Sequence, residues 1–133
     1  MNREEFPLPG YQDDKAGAHT IIDRKALMVR LNNDIDLLRE LIDFFLQDYH
    51  RLLTEIESAL AMQDARTLRI AAHTLKGNFG NFCANKAYEL SYHIETAALE
   101  ENFAAAASVF SALKEELKRV DRALRLLSEE YAA

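Results

Sequence analysis

His73 and Lys76 stand three residues apart in the stretch 70-IAAHTLKGNFGNF-82, and Gly77 and Gly80 follow close behind. A neutral imidazole is a good nitrogen nucleophile near pH 7, because its ordinary pKa is about 6.5. It needs no strong base to attack a phosphorus centre. Phosphoryl transfer then asks mainly for positioning and for stabilisation of charge on the equatorial oxygens. A lysine one turn further along a helix can supply that charge. The glycines are less expected, since each costs roughly 1 kcal/mol relative to alanine inside a helix.

A helix advances by about 100° per residue. With Leu68 as origin, Ala72, Leu75, Phe79 and Phe82 fall within about 40°, and Ala71 lies about 60° away. That is the stripe expected to be buried. His73 falls near about 140°, Arg69 near about 100°, Lys76 near about 80°, Gly80 near about 120° and Gly77 near about 180°. The histidine therefore points outward, flanked by two cations, with both glycines on its side of the helix. Missing side chains around an exposed imidazole let a large partner approach it closely.

Each residue has an ordinary reading when taken alone. A single surface histidine on a helix usually has no chemistry, Lys76 is a solvated charge, and Gly80 can be a C-terminal signal. Gly77 lies a turn earlier and is harder to explain that way. The coincidence of all four on one face favours a site. The chain lacks a G-x-x-x-x-G-K-[ST] phosphate loop and a glycine-rich nucleotide motif. His19, His50, His73 and His93 form no i, i+3 or i, i+4 pairs with one another, and no E-x-x-H pair occurs. Neither a metal site nor a self-sufficient ATP-dependent kinase is expected, so an activated phosphoryl group must arrive on another protein.

The elements that hold this stretch follow from composition and caps. The 133 residues suit one domain, and 49% are apolar, enough for a single core. Both prolines, Pro7 and Pro9, fall in the first ten residues, with Gly10 and Gly17 behind them, so residues 1–20 read as a tail or linker. Residues 21–130 contain no proline and are rich in Ala, Leu, Glu, Arg and Lys, which makes the class all-α. Asp23 can cap a short helix, Arg24 to Leu31. Asn32-Asn33-Asp34 breaks the chain before a long helix from Ile35 to Met62, whose apolar residues recur at three- and four-residue steps. Asp64 can cap a helix from Ala65 to Asn81. A further helix runs from about Ala84-Asn85 to Glu100, and Asn102 can cap the last, Phe103 to about Glu130. Breaks this short predict an up-down antiparallel four-helix bundle with a short additional N-terminal helix.

Several classes are excluded or disfavoured. No apolar run approaches the roughly 18 residues of a membrane span, and the N-terminus has no secretory pattern. The net charge of −6 argues against nucleic-acid binding. One cysteine, Cys83, fits a reducing compartment, and a cytoplasmic location is expected.

The segment 73-HTLKG-77 with Gly80, following the apolar helix 41-LIDFFLQDYHRLL-53, resembles the histidine-containing phosphotransfer domains of bacterial-type phosphorelays. The resemblance covers roughly Ile22 to Leu127. It implies His73 as phosphoryl acceptor, Lys76 as its electrostatic partner and Gly77 as a clearance position. Glu95, twenty-two residues past His73, corresponds to a residue that orients the imidazole; its ordinary reading is a solvated helix acid. Phe45 resembles an aromatic packed beside the acceptor, compatible with an ordinary core role. With Arg69, Ile70, Gly77 and Gly80 it completes the expected partner-binding set. The family often has glycine at the position of Cys83, so the turn before the fourth helix is expected to be tighter or differently angled here.

The partner implied is a response-regulator receiver domain carrying a phosphoaspartate and its own Mg²⁺, with no cofactor in this chain. A hybrid sensor histidine kinase is a further partner, and a monomer is expected. A chemotaxis-type kinase phosphoacceptor shares the motif and the later glutamate, and is the alternative within the same chemistry, its phosphate coming from an ATP-binding domain elsewhere in a longer chain. A helical adaptor with an incidental histidine is the rival from another class.

Overall fold

The computed structural model describes residues 20–132, and the tail expected over residues 1–20 lies outside them except for Thr20. Five helices follow in order: α1 Arg24–Arg30, α2 Ile35–Met62, α3 Ala65–Asn81, α4 Asn85–Leu99 and α5 Phe103–Glu130. No strand occurs among the described residues. Four of the five starts are capped by a side chain: Asp23, Asp34, Asp64 and Asn102 each accept from the backbone N–H three residues on. Such caps satisfy donors that the first turn leaves unpaired, at about 1 kcal/mol each. Ala84 opens α4 without a side-chain cap.

The helix ends use a device with no glycine in it. Gln63, Cys83 and Glu101 have φ of 54°, 55° and 54°, in the left-handed region. The next residue in each case returns to a φ between −95° and −91° and caps the start of the following helix. Its N–H reaches back five residues, from Asp64 to Ala59 O at 2.9 Å, Ala84 to Phe79 O at 2.9 Å and Asn102 to Ala97 O at 2.8 Å. This is the Schellman arrangement, which normally places glycine at the left-handed position. The α3–α4 turn thus has the same form as its two neighbours, with Cys83 in the left-handed seat. A Cβ there is unfavourable by about 1 kcal/mol. Glu101 is exposed, and among the described residues its side chain has no hydrogen bond or ion pair that its removal would forfeit. Glu101→Gly is therefore expected to stabilise the protein by about 0.5–1 kcal/mol. A thermal melt against Glu101→Ala, which keeps the Cβ and should match the parent, checks this.

The long helices pack in a ring: α2 on α3, α3 on α4, α4 on α5 and α5 on α2. Leu38, Ile42, Ile56, Leu68, Leu75, Phe79, Ile94, Leu113 and Leu124 are buried at its centre. Phe45 joins α2 to α3, its ring meeting Phe79 and Phe82 edge-on at 5.8 and 5.5 Å and stacking on Tyr49 at 5.1 Å. On the α5 side, the Tyr49 hydroxyl donates to Asp121. Helix α1 closes one end: Asp23 N–H donates to Cys83 O at 3.0 Å, and Arg24 pairs with Glu130 at 2.6 Å.

Candidate functional site

The buried stripe of α3 is Leu68, Ala71, Ala72, Leu75 and Phe79, as the helical spacing requires. His73 lies at the midpoint of α3 on the opposite side, with its side chain 64% exposed. Helix α4 brings Glu95 up to it: His73 Nδ1 lies 2.9 Å from Glu95 Oε2. Glu95 is itself only 15% exposed. Lys76 Nζ sits 2.8 Å from the other carboxylate oxygen, Oε1, as an ion pair rather than an aligned hydrogen bond. One carboxylate thus bridges the imidazole and the ammonium. Burial pushes the Glu95 carboxyl up, but Lys76 and His73 outweigh it and hold the carboxyl below the ordinary glutamate value.

That charge state decides the imidazole's chemistry. An ionised carboxylate can only accept, so Nδ1 must carry the proton. In the neutral ring, Nε2 then keeps its lone pair. The exposed imidazole is held in the tautomer that makes Nε2 a nucleophile, and its orientation is set from α4.

The surroundings of His73 differ in kind. A Cβ built on Gly77 would meet nothing within 4 Å, and its φ is not in the left-handed region. Backbone geometry therefore does not call for glycine at this position. A Cβ on Gly80 would meet the Tyr88 ring at 3.4 Å, so the space beside Gly80 is taken by α4. Ile70 is 46% exposed, and Arg69 is half-buried. The Thr74 hydroxyl donates to Ile70 O at 3.0 Å. Phe45, expected to pack beside the acceptor and meet a partner, is 3% exposed and belongs to the core. Its neighbour Phe44 is the exposed aromatic of that turn, at 67%. Among the described residues no group of three or more His, Cys, Asp or Glu side chains could hold a metal ion.

Two residues of this neighbourhood were not singled out by the sequence reading. Lys76 Nζ lies 5.4 Å from the centroid of the Tyr92 ring and 5.9 Å from that of Tyr88. The signal was present: Tyr88, Tyr92 and Glu95 are spaced i, i+4, i+7 and share one side of α4.

The Hpt domain family matches residues 40–123, which carry all of these site residues. The chain belongs to the Hpt domain family. Its role is histidine phosphotransfer in two-component signalling. Two solved structures share the Hpt fold. The histidine-containing phosphotransfer protein B (HptB) of Pseudomonas aeruginosa PAO1 is 23% identical, over 84% of this chain and 96% of its own, with a TM-score of 0.77. The HPT domain of an Hpt sensor hybrid histidine kinase from Shewanella is 20% identical, over 82% of this chain and 94% of its own, with a TM-score of 0.72. No protein of curated function matches the sequence. Among the described residues of this Hpt domain no helix is long and apolar enough to cross a membrane.

Gly77→Ala separates clearance from backbone need in this Hpt domain. Alanine gains up to about 1 kcal/mol in a helix interior, and open space awaits the methyl. The variant is expected to melt higher and to accept phosphoryl groups more slowly, because the methyl adds bulk to the exposed face of α3 beside His73. Gly77→Gln should slow transfer further without unfolding. Thermal melts beside transfer rates check both; a lower melting point for Gly77→Ala would return the glycine to a backbone role.

Proposed function

We propose that this Hpt domain is a phosphorelay intermediate in which His73 Nε2 takes a phosphoryl group from the phosphoaspartate of one receiver domain and passes it to another. The observation that carries the reading is the Nδ1–Glu95 contact at 2.9 Å beneath an imidazole left 64% exposed. The Nε2 lone pair attacks phosphorus, the bond from phosphorus to the aspartyl oxygen breaks, and that oxygen leaves with the electron pair as carboxylate. The phosphorylated ring keeps its Nδ1 proton and gains positive charge, which Glu95 offsets. In the onward step a receiver carboxylate attacks phosphorus and the electron pair returns to Nε2. Glu95 thus steadies the ring in both directions, and Lys76 adds positive charge beside it.

Mg²⁺ belongs to the receiver in this reading, and the Hpt domain brings no cofactor. Gly77, Ile70 and Arg69 form the face the receiver meets, with Gly77 leaving room for its backbone. The short connections and the ring of packed helices fit an up-down antiparallel four-helix bundle, with α1 across one end. The domain acts as a cytoplasmic monomer, with a hybrid sensor histidine kinase as a further partner.

The test is incubation with a purified receiver domain charged with labelled phosphate. Label is expected to move to this chain as an acid-labile, alkali-stable phosphohistidine and to map to His73. Label that stays on the receiver, across a panel of receivers from the source organism, would leave an adaptor.

A further inference from the structure

Lys76 is an exposed-face residue by helical spacing, yet its side chain is only 18% exposed. A lysine on a helix surface ordinarily extends its ammonium into water. Here the ammonium is enclosed on three sides: Glu95 Oε1 at 2.8 Å, the Tyr92 ring at 5.4 Å and the Tyr88 ring at 5.9 Å. Both rings are within the roughly 6 Å over which an aromatic face attracts a cation. The Tyr88 ring is in turn seated on α3. Its Cδ2 and Cε2 lie 3.4 Å from where a Gly80 Cβ would stand, at van der Waals contact, so the ring lies against the helix one turn beyond Lys76.

We infer that Tyr88 and Tyr92 are positioning residues for phosphoryl transfer, forming an aromatic clamp that holds the Lys76 ammonium on Glu95. Gly80 serves as the seat of the clamp. The inference rests on the reading of His73 as the acceptor. The physical consequence runs through the shared carboxylate. Oε1 takes Lys76 while Oε2 takes His73, so a Lys76 kept in place leaves Glu95 one arrangement in which to hold the ring. A Lys76 released into water would remove the counter-charge from Oε1 and free the carboxylate to rotate. His73 would then lose its fixed tautomer and its fixed direction. The ammonium is also kept near the acceptor before any phosphoryl group arrives, so no reorganisation is needed during transfer.

The clamp works through ring faces, which separates phenylalanine from leucine as replacements. The first variant carries Tyr88→Leu and Tyr92→Leu; its control carries Tyr88→Phe and Tyr92→Phe. Far-UV circular dichroism checks that both fold. If the leucine pair loses its helical signal, Tyr92→Leu alone, at the nearer ring, takes its place. Two measurements follow on the full chain. The first is acylation of Lys76 by an amine-reactive ester, read by peptide mass spectrometry against Lys118, which is 72% exposed. The leucine variant is expected to raise the relative rate at Lys76 by about five-fold, the scale of losing the attraction of two rings, and the phenylalanine pair to leave it unchanged. The second is phosphorylation of His73 by phosphoramidate, a donor small enough to need no docking surface, beside the ¹⁵N shifts of the His73 ring. The leucine variant is expected to be labelled several-fold more slowly and to lose the Nδ1–H tautomer in part, with the phenylalanine pair again like the parent.

A parent protein labelled at His73, with Lys76 reactivity and labelling unchanged in the leucine variant, would overturn the clamp and leave the acceptor reading intact. Loss in the phenylalanine pair as well would assign the effect to the hydroxyl groups and overturn the ring-face argument. A parent protein that phosphoramidate and charged receivers both fail to label would remove the acceptor reading, and the clamp's role in transfer with it.

Discussion

The His73→Gln protein is expected to take up no phosphoryl group while keeping its fold. Glutamine has no ring nitrogen to form the phosphoramidate bond, so labelling from a charged receiver should fall to background. Stability should change by less than about 0.5 kcal/mol, as for most surface substitutions, because the His73 side chain is 64% exposed. Glu95 keeps Lys76 as a partner in the variant, so no buried charge is stranded. A denaturant melt and a labelling assay on the same preparation are needed, since loss of labelling with loss of fold would say nothing about the acceptor. Retained labelling would place the acceptor elsewhere, with the exposed His50 and His93 the next residues to replace.

The Glu95→Ala protein is expected to transfer phosphoryl groups roughly 10- to 100-fold more slowly, the scale of loss when a carboxylate that orients a functional imidazole is removed. The acceptor remains, but its tautomer and direction are no longer set. Glu95→Gln should fall between, since an amide oxygen can still accept from Nδ1–H but offers Lys76 no charge. Stability should drop by about 1–2 kcal/mol in Glu95→Ala, because a half-buried ammonium loses its counter-ion. This part has a pH signature with a definite sign. The folded-state Glu95 carboxyl is held below its ordinary value, so it releases its proton more readily folded than unfolded. Its contribution is present in full above the unfolded value of about 4.3 and is lost as pH falls through the lower folded value. The stability gap between the parent and Glu95→Gln should therefore hold steady from neutral pH down to about pH 5 and close below about pH 4. A gap that closes near neutrality would show that the carboxyl is not held low.

Local chemistry made most of the fold legible in the sequence. Asp23, Asp34, Asp64 and Asn102 start helices because a short side-chain acceptor beside free N–H groups is a local matter. The three-and-four spacing of apolar residues on α2 and α3 reports one buried face for the same reason. His73 could be placed on the outer face of α3, with Gly77 beside it, from periodicity alone. The ends of α2 at Met62 and α3 at Asn81 were legible too, but the form of the turns was not, because their left-handed residues are Gln63, Cys83 and Glu101 instead of glycine. Reversals fixed by tertiary packing can bear a Cβ that an isolated turn would shed.

What only the tertiary structure decided is what happens between helices. Periodicity gives the angle of a side chain about its own axis and nothing about the helix alongside. It could not show that Phe45 on α2 meets Phe79 and Phe82 edge-on across the helix boundary. Nor could it show that the space beside Gly80 is filled by Tyr88 while that beside Gly77 is open, although both glycines lie on one side of α3. Lys76 looked like a free cation in sequence and is bound to a carboxylate nineteen residues away. The sequence by itself determined which histidine stands on the outer face of α3. The packing of α4 on α3 decided which nitrogen of that imidazole faces Glu95, because a hydrogen bond across two helices depends on their register and rotation, which no single helix encodes.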